Sequence, residues 1–416
     1  MLDVAPTESA LSEAWTLPLE TLDPSDGTLF QRGLLHDYLK RLRQEDPVHW
    51  SPTGPSGGFW SITKFNDILA IDSNHAVFSS DRDITVGDQP EGFAPPMFIT
   101  KDPPVHDVQR KSVSPAVAPG RLAELEVLMR KRTAEVLDAL PRNETFDFVD
   151  RVSIELTTGF LALLFDFPWE DRRLLTYWSD ISTTSEQIGN TSLPQAERER
   201  ILGECLAYFT RLWHERAAAP PKFDFLSMMA HNPDTRDMVN DPMTFLGNLM
   251  LLIVGGNDTT RNSMSGGVLF MNQFPDEWAK LQANPELVAG AASEIIRFQS
   301  PVAHMRRTAV RDIEVGGKLI RKGERVVMWY VSGNRDETVI HNPDTFIIDR
   351  ARARHHMAFG FGIHRCMGNR AAEMQIQILW EEILKRFDRV EVVGEPERGV
   401  NNFILGFTKL PVRLHG

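Results

Sequence analysis

Ten consecutive residues gather reactive chemistry: Phe359-Gly360-Phe361-Gly362-Ile363-His364-Arg365-Cys366-Met367-Gly368. Three glycines surround a cysteine where a loop gives way to a helical pattern. Glycine lets backbone approach a flat ligand closely. A helix N-terminus stabilises a thiolate. The other cysteine, Cys205, lies on a helical stretch and reads as a small core residue. Two cysteines make neither a four-cysteine zinc or cluster site nor a multi-disulfide framework.

A second group is Gly255-Gly256-Asn257-Asp258-Thr259-Thr260. It sets a carboxylate beside a hydroxyl inside an apolar helical run. Asp241-Pro242 opens that run with an N-cap and first-turn signature. The spacing predicts a helix over 241–270, apolar enough to cross the protein interior. Each glycine there costs about 1 kcal/mol of helix stability. Such a local violation marks a functional site.

Other elements must position these groups. Val48 to Trp50 and Gly58 to Ile62 flank a Pro/Gly-rich turn and read as a hairpin. Residues 81–96 read as a long loop. Apolar i, i+3, i+4 spacing predicts helices over 121–140, 153–164 and 195–216. Two helices with Pro at their first position follow, over 275–283 and 285–298. Residues 313–331 alternate like small antiparallel strands. Residues 336–361 lack periodicity, and a loop that long is usually functional. A helix over 368–386 and strands within 390–414 close the chain. The expectation is a mainly α fold with minor β and one domain over 1–416. Residues before about 100 form a mixed β/α part, and the remainder is helix-rich.

The chain has 416 residues, 42% hydrophobic and 25% charged. That is globular composition, long enough to enclose a cofactor. The net charge of −12 disfavours nucleic acid and anionic membrane as partners. The acidic stretch Met1 to Trp15 has no basic or apolar export region. The longest apolar stretch, Leu249 to Val254, is far short of a membrane span. The expectation is a cytoplasmic protein with reduced cysteines.

The ten-residue pattern resembles the F-G-x-G-x-H-x-C-x-G motif of the cytochrome P450 family, the haem-thiolate monooxygenases. The resemblance implies a helix-rich haem domain with small antiparallel sheets, binding haem b through Cys366 as the axial thiolate. Such ligation favours O–O cleavage. Phe359 would pack beside the sulfur, backbone N–H groups around Gly368 would tune it, and His364 would reach a propionate. Glu294-Ile295-Ile296-Arg297 matches the family's E-x-x-R, with Arg350 as third partner and Arg352 competing. These residues would hold structure. His106 and Arg110 share a helix face at i, i+4. With His364 and Arg307, or its neighbour Arg306, they would supply donors for two propionates.

Gly255 to Thr259 matches the family's distal motif. By that resemblance Gly255 and Gly256 leave room for O₂ and allow local helix distortion. Asp258 relays protons, and Thr259 stabilises dioxygen and delivers protons. An acid–alcohol pair favours reductive O₂ activation over isomerase or peroxide-driven chemistry.

The substrate pocket is expected to include Leu251, Val254, Val302, Met305, Phe403, Leu405 and Phe407, all apolar. Three segments (102–111, 255–266 and 359–370) are similar to the soluble bacterial subfamily that hydroxylates the terminal carbon of alkanes and fatty acids. A cyclic terpene or steroid is the alternative substrate. With no flavin or dinucleotide motif, electrons must come from a partner. The family implies a [2Fe–2S] ferredoxin and an FAD-containing, NADH-dependent reductase. Arg350, Arg352, Arg354, Arg365 and Arg370 form a positive patch suited to an acidic donor.

Overall fold

The structure, a computed structural model, describes residues 12–55, 57–90 and 92–416. The opening stretch read for export signals lies outside them as far as residue 11, as does Ser56 in the hairpin turn.

The predicted hairpin forms from β1 (Val48–Ser51) and β2 (Phe59–Ile62), with Trp50 opposite Trp60. Helix α1 (Phe65–Asp72) and the short β3 (Phe78–Ser79) follow. Residues 81–96 carry no helix or strand among those described. The helical body comprises α2 (Val105–Val113), α3 (Pro119–Asp138), α4 (Glu155–Phe165), α5 (Arg173–Ser182) and α6 (Gln195–Ala217). It continues with α7 (Pro242–Gln273) and α8 (Val288–Gln299), and closes with α9 (Asn369–Leu384). Between α8 and α9 lie β4 (Met305–Ala309) and β5 (Arg325–Met328).

The five-stranded sheet runs β1-β2-β5-β4-β3. Its β2–β5 pair is parallel, so the small sheets are not all antiparallel as expected. The sequence does not announce β4, because Arg306 and Arg307 at its centre hide the alternation. Ile313–Val315 and Lys318–Ile320 form a hairpin around Gly316-Gly317, as predicted. The C-terminal strand Pro411–His415 pairs with Arg389–Val392 and with Phe146–Asp147.

Helix α7 is the axis. Its Asp241 cap accepts from the Thr244 N–H at 3.3 Å. One large apolar cluster packs its first half against α3, α4, α5 and α6. A second packs its last turns against α8 and α9. Side chains are buried on nearly every face, which is why the run is apolar throughout. The helix runs unbroken through the glycine pair, over 32 residues. A Cβ at Gly256 would lie 2.6 Å from Leu161, so this glycine serves the packing of α4. At Gly255 a Cβ would meet nothing within 4 Å, because that face opens onto a cavity.

Beneath the cavity, Glu294 is fully buried. Its carboxylate accepts from Arg297 at 2.8 Å and from Arg350 Nε at 3.0 Å. Arg297 Nη1 donates to the Asn334 and Pro343 carbonyls. Arg350, not Arg352, is thus the third partner. Arg352 is exposed, with φ 60. The cluster pins the long loop between β5 and α9 onto α8.

Candidate active site

A cavity of about 320 Å³ lies between α7 and the loop that precedes α9. Cys366 opens onto it, with Phe359, His364 and Gly368 beside it. The Cys366 N–H donates to the Phe359 carbonyl at 2.8 Å, closing the loop that carries the thiol. Burial pushes the thiol up; the Gly368 N–H and the charges of Arg110 and Arg365 oppose that. Gly362 has φ 64, and a Cβ there would sit 2.5 Å from the Asp72 carbonyl. Only glycine allows the loop this close to α1.

Around the thiol stand the four expected cationic or imidazole groups. Arg110 and Arg307 line the cavity. Arg110 Nη2 donates to the Arg365 carbonyl at 2.6 Å. Arg307 Nη2 pairs with buried Asp72 at 2.7 Å, and Nη1 donates to the Arg306 carbonyl. Arg306 turns away onto the 85–88 loop, pairing with Asp88 at 2.6 Å, so Arg307 is the one that faces the cavity. The His106 and His364 rings meet edge to face, with centroids 4.3 Å apart. His106 Nε2 and both His364 nitrogens are buried without a hydrogen-bond partner among the described residues. Burial and nearby Arg307 drive His364 down to about 2.

These features test the expected haem. A thiol open to the cavity, two arginines and three orphaned imidazole nitrogens fit a group that is coordinated from one face and carries two carboxylates. Orphaned buried nitrogens are costly unless such a partner supplies their hydrogen bonds. The donor set fits.

On the facing wall Thr259 lines the cavity, its hydroxyl donating to the Gly255 carbonyl at 3.0 Å. Asp258 does not line it. The carboxylate turns toward α5, where Oδ1 accepts from Ser179 at 3.0 Å and from Asn257 at 3.0 Å. Arg261 Nη2 lies 3.0 Å from that oxygen and 2.9 Å from Asp180. Asp258 Oδ2 has no hydrogen-bond partner among the described residues. Burial pushes this carboxyl up to about 6 against the opposing pull of Arg261. Asn257 and Arg261, for which the sequence suggests no role, orient this acid. Asn257 also accepts from Thr157 on α4 at 2.9 Å. Their signal was present as polar residues inside an apolar helix, without anything to say what they face.

Five predicted pocket residues line the cavity: Leu251, Val254, Val302, Met305 and Phe403. Leu405 and Phe407 do not. Leu405 is fully buried, its N–H on the Pro301 carbonyl, and Phe407 is buried beside α7, its N–H on Asn262 Oδ1 at 3.2 Å. Ile404 lines the cavity instead, because its bridge to Val302 turns it inward. Phe98, Leu202 and Met250 also line it. The helices of Leu202 and Met250 are legible in the sequence, but not which face looks inward, and Phe98 sits in a short turn without a periodic signal.

The predicted arginine patch is thinned by internal pairing. Arg350 is taken by Glu294, and Arg354 pairs with Glu373 at 2.7 Å. Arg352, Arg365 and Arg370 are exposed. No helix among the described residues is long and apolar enough to cross a membrane.

The chain is similar to known proteins. The family model described as Cytochrome P450 matches residues 215–413. The chain is 34% identical to linalool 8-monooxygenase of Pseudomonas putida, over 95% of this chain and 99% of that protein. It is 31% identical to a steroid C26-monooxygenase of Mycolicibacterium smegmatis, over 92% of this chain and 91% of that protein. Among solved structures, Cytochrome P450-153 from Novosphingobium aromaticivorans matches at 44% identity and TM-score 0.89, covering 95% of this chain and 100% of its own. CYP153D17 from Sphingomonas sp. PAMC 26605 matches at 45% and 0.90, covering 96% and 100%.

Proposed function

This chain belongs to the cytochrome P450 family of haem-thiolate monooxygenases, and from that premise we propose that it hydroxylates the terminal carbon of medium-chain alkyl substrates, alkanes or fatty acids. The observation that carries this reading is the cavity lining. Leu251, Val254, Val302, Met305, Phe403 and Ile404 present only apolar groups between the thiol wall and a polar end. An apolar passage suits an unbranched chain fed end-first. The likeness to Cytochrome P450-153 and CYP153D17, in the subfamily of terminal alkane hydroxylases, supports it.

Haem b, when bound, supplies reductive activation of O₂ and insertion of one oxygen atom into a C–H bond. In this reading Cys366 is its thiolate ligand, with Phe359 and the Gly368 N–H setting the sulfur's surroundings. His106, Arg110, Arg307 and His364 hold its carboxylates. Gly255 leaves space on the opposite face. Thr259 hands protons inward, and Asp258, tethered outside the cavity wall, collects them from the α5 side. A methyl C–H is stronger than a methylene C–H, so selectivity for the chain end rests on position. Electrons come from a ferredoxin that docks over Arg352, Arg365 and Arg370.

The second reading, a terpene or steroid substrate, is favoured by the names of linalool 8-monooxygenase and steroid C26-monooxygenase. Product regiochemistry decides. Dodecane and dodecanoate are turned over with a surrogate ferredoxin and reductase, and the hydroxyl is located by mass spectrometry. Terminal alcohol is expected. In-chain products from both overturn the reading.

A further inference from the structure

Away from the thiol, the cavity wall changes character. Where the end of α5 meets α6, the lining is Ser182, Thr183, Gln187 and Arg198, with Gln89 from the 81–96 loop. Arg198 forms no ion pair within 4.0 Å among the described residues. Nη2 donates to the Ser182 carbonyl at 3.1 Å, and Nε is buried without a hydrogen-bond partner. The guanidinium lies 5.8 Å from the Phe93 ring. Neighbouring Glu199 offers its charge, but its Oε1 accepts from Gln195 at 2.7 Å. Burial holds Arg198 below the usual arginine range.

The other arginines of this cavity are provided for. Arg307 has Asp72, and Arg110 has the Arg365 carbonyl and stands beside Cys366. The one carboxylate on the lining among the described residues, Asp83, turns Oδ1 onto the Ile84 and Thr85 amides and feels the charge of Arg306. Arg198 is therefore a cation on the lining without a counter-charge among the described residues, at the polar end of an apolar passage. A half-buried charge of this kind is stabilised by an anion that brings its own acceptors.

We propose that Arg198 anchors the carboxylate of an alkyl-chain acid, so that a fatty acid lies with its head on α6 and its methyl end toward Thr259 and Cys366. This deepens the terminal-hydroxylation reading and rests on it for the methyl-first orientation. An alkane makes no use of Arg198. The anchor also sets a register. Acids long enough to span from α6 to the reacting wall are hydroxylated at the terminus, whereas alkanes slide and are sorted by packing alone.

The test is titration of the haem-loaded enzyme with dodecanoate and with dodecane, followed by the ligand-induced change in the haem absorbance. In Arg198→Gln the dodecanoate Kd is expected to rise about tenfold or more, the scale of one charge-assisted hydrogen bond. The dodecane Kd stays within about twofold, which also reports a folded cavity. Arg198→Lys restores most of the acid affinity, and Arg198→Glu binds dodecylamine more tightly than the wild type does. Equal losses for acid and alkane, or no loss for the acid, overturn the anchor and leave terminal hydroxylation standing. A selective loss for the acid with in-chain product from the wild type keeps the anchor and overturns the orientation.

Discussion

Asp72 and Arg307 form a buried ion pair, 2.7 Å between Oδ1 and Nη2, joining the end of α1 to β4 across the floor of the cavity. The second carboxylate oxygen accepts the Tyr330 hydroxyl at 2.7 Å and the Phe361 N–H at 2.8 Å. One acid thus holds an arginine, a tyrosine and the glycine-rich loop together. Asp72→Asn leaves Arg307 buried without its counter-charge. The expected cost is about 3 kcal/mol or more, read from the urea midpoint, with lower haem occupancy after purification. An unchanged midpoint would contradict this account of the floor.

Glu294 neutralises Arg297 and Arg350 from a position with no solvent access. Glu294→Gln is expected to destabilise the chain by about 3–5 kcal/mol, the scale for breaking a buried pair by removing one partner. The loop over 336–361 should then become the first site of protease cleavage, seen by limited proteolysis and mass mapping.

Thr259 faces the cavity and Asp258 faces α5, and the proposed proton delivery gives each its own signature. Thr259→Ala should leave NADH consumption running while product per NADH falls. Asp258→Asn should slow turnover itself by about a hundredfold, the usual contribution of a positioned proton donor. Both are read by measuring NADH, O₂ and product together. Equal coupling in Thr259→Ala removes that hydroxyl from proton delivery.

Stability should respond to acid in two opposing ways. Burial drops His304 from 6.5 to about 3. Below pH 6.5 the unfolded chain binds a proton that the folded chain refuses, so stability falls as pH drops toward 3. The loss between pH 6.5 and 5 is about 2 kcal/mol for such a group. Asp258 runs the other way. Its folded value near 6 exceeds the ordinary 3.8, so the folded chain takes up the proton first and gains stability as pH falls through that window. His304→Asn should flatten the acid decline in Tm, and Asp258→Asn should steepen it.

Arg365 keeps its side chain on the surface while its carbonyl accepts from Arg110. Arg365→Glu should slow ferredoxin-driven reduction and weaken its dependence on salt, with haem content and substrate binding retained. Stopped-flow reduction across a salt titration measures this, and identical rates in both proteins would remove the patch from docking.

Much of this arrangement was legible because it depends on local pattern. The Asp241-Pro242 start, the unbroken apolar run and the glycine-rich cysteine loop each carry their own signal. Arg297 with Glu294 could be read at i, i+3. What remained hidden depends on partners far apart in the chain. Asp72 is one acid on a short helix, and nothing near it announces Arg307, 235 residues away. Arg198 looks like any arginine on an amphipathic helix until the 81–96 loop covers it. Leu405 and Phe407 read as lining in the sequence, since nothing local says which face of a turn looks inward. Ile404 takes that place.

The Cys366 N–H is tied to the Phe359 carbonyl, so a main-chain bond seats the thiol, with Gly362 set against α1. Arg365 is exposed on that closed ring. Mutation can therefore rewrite the surface offered to an electron donor while the sulfur stays where it is. Descendants of this chain can change redox partner without relearning how to hold their iron.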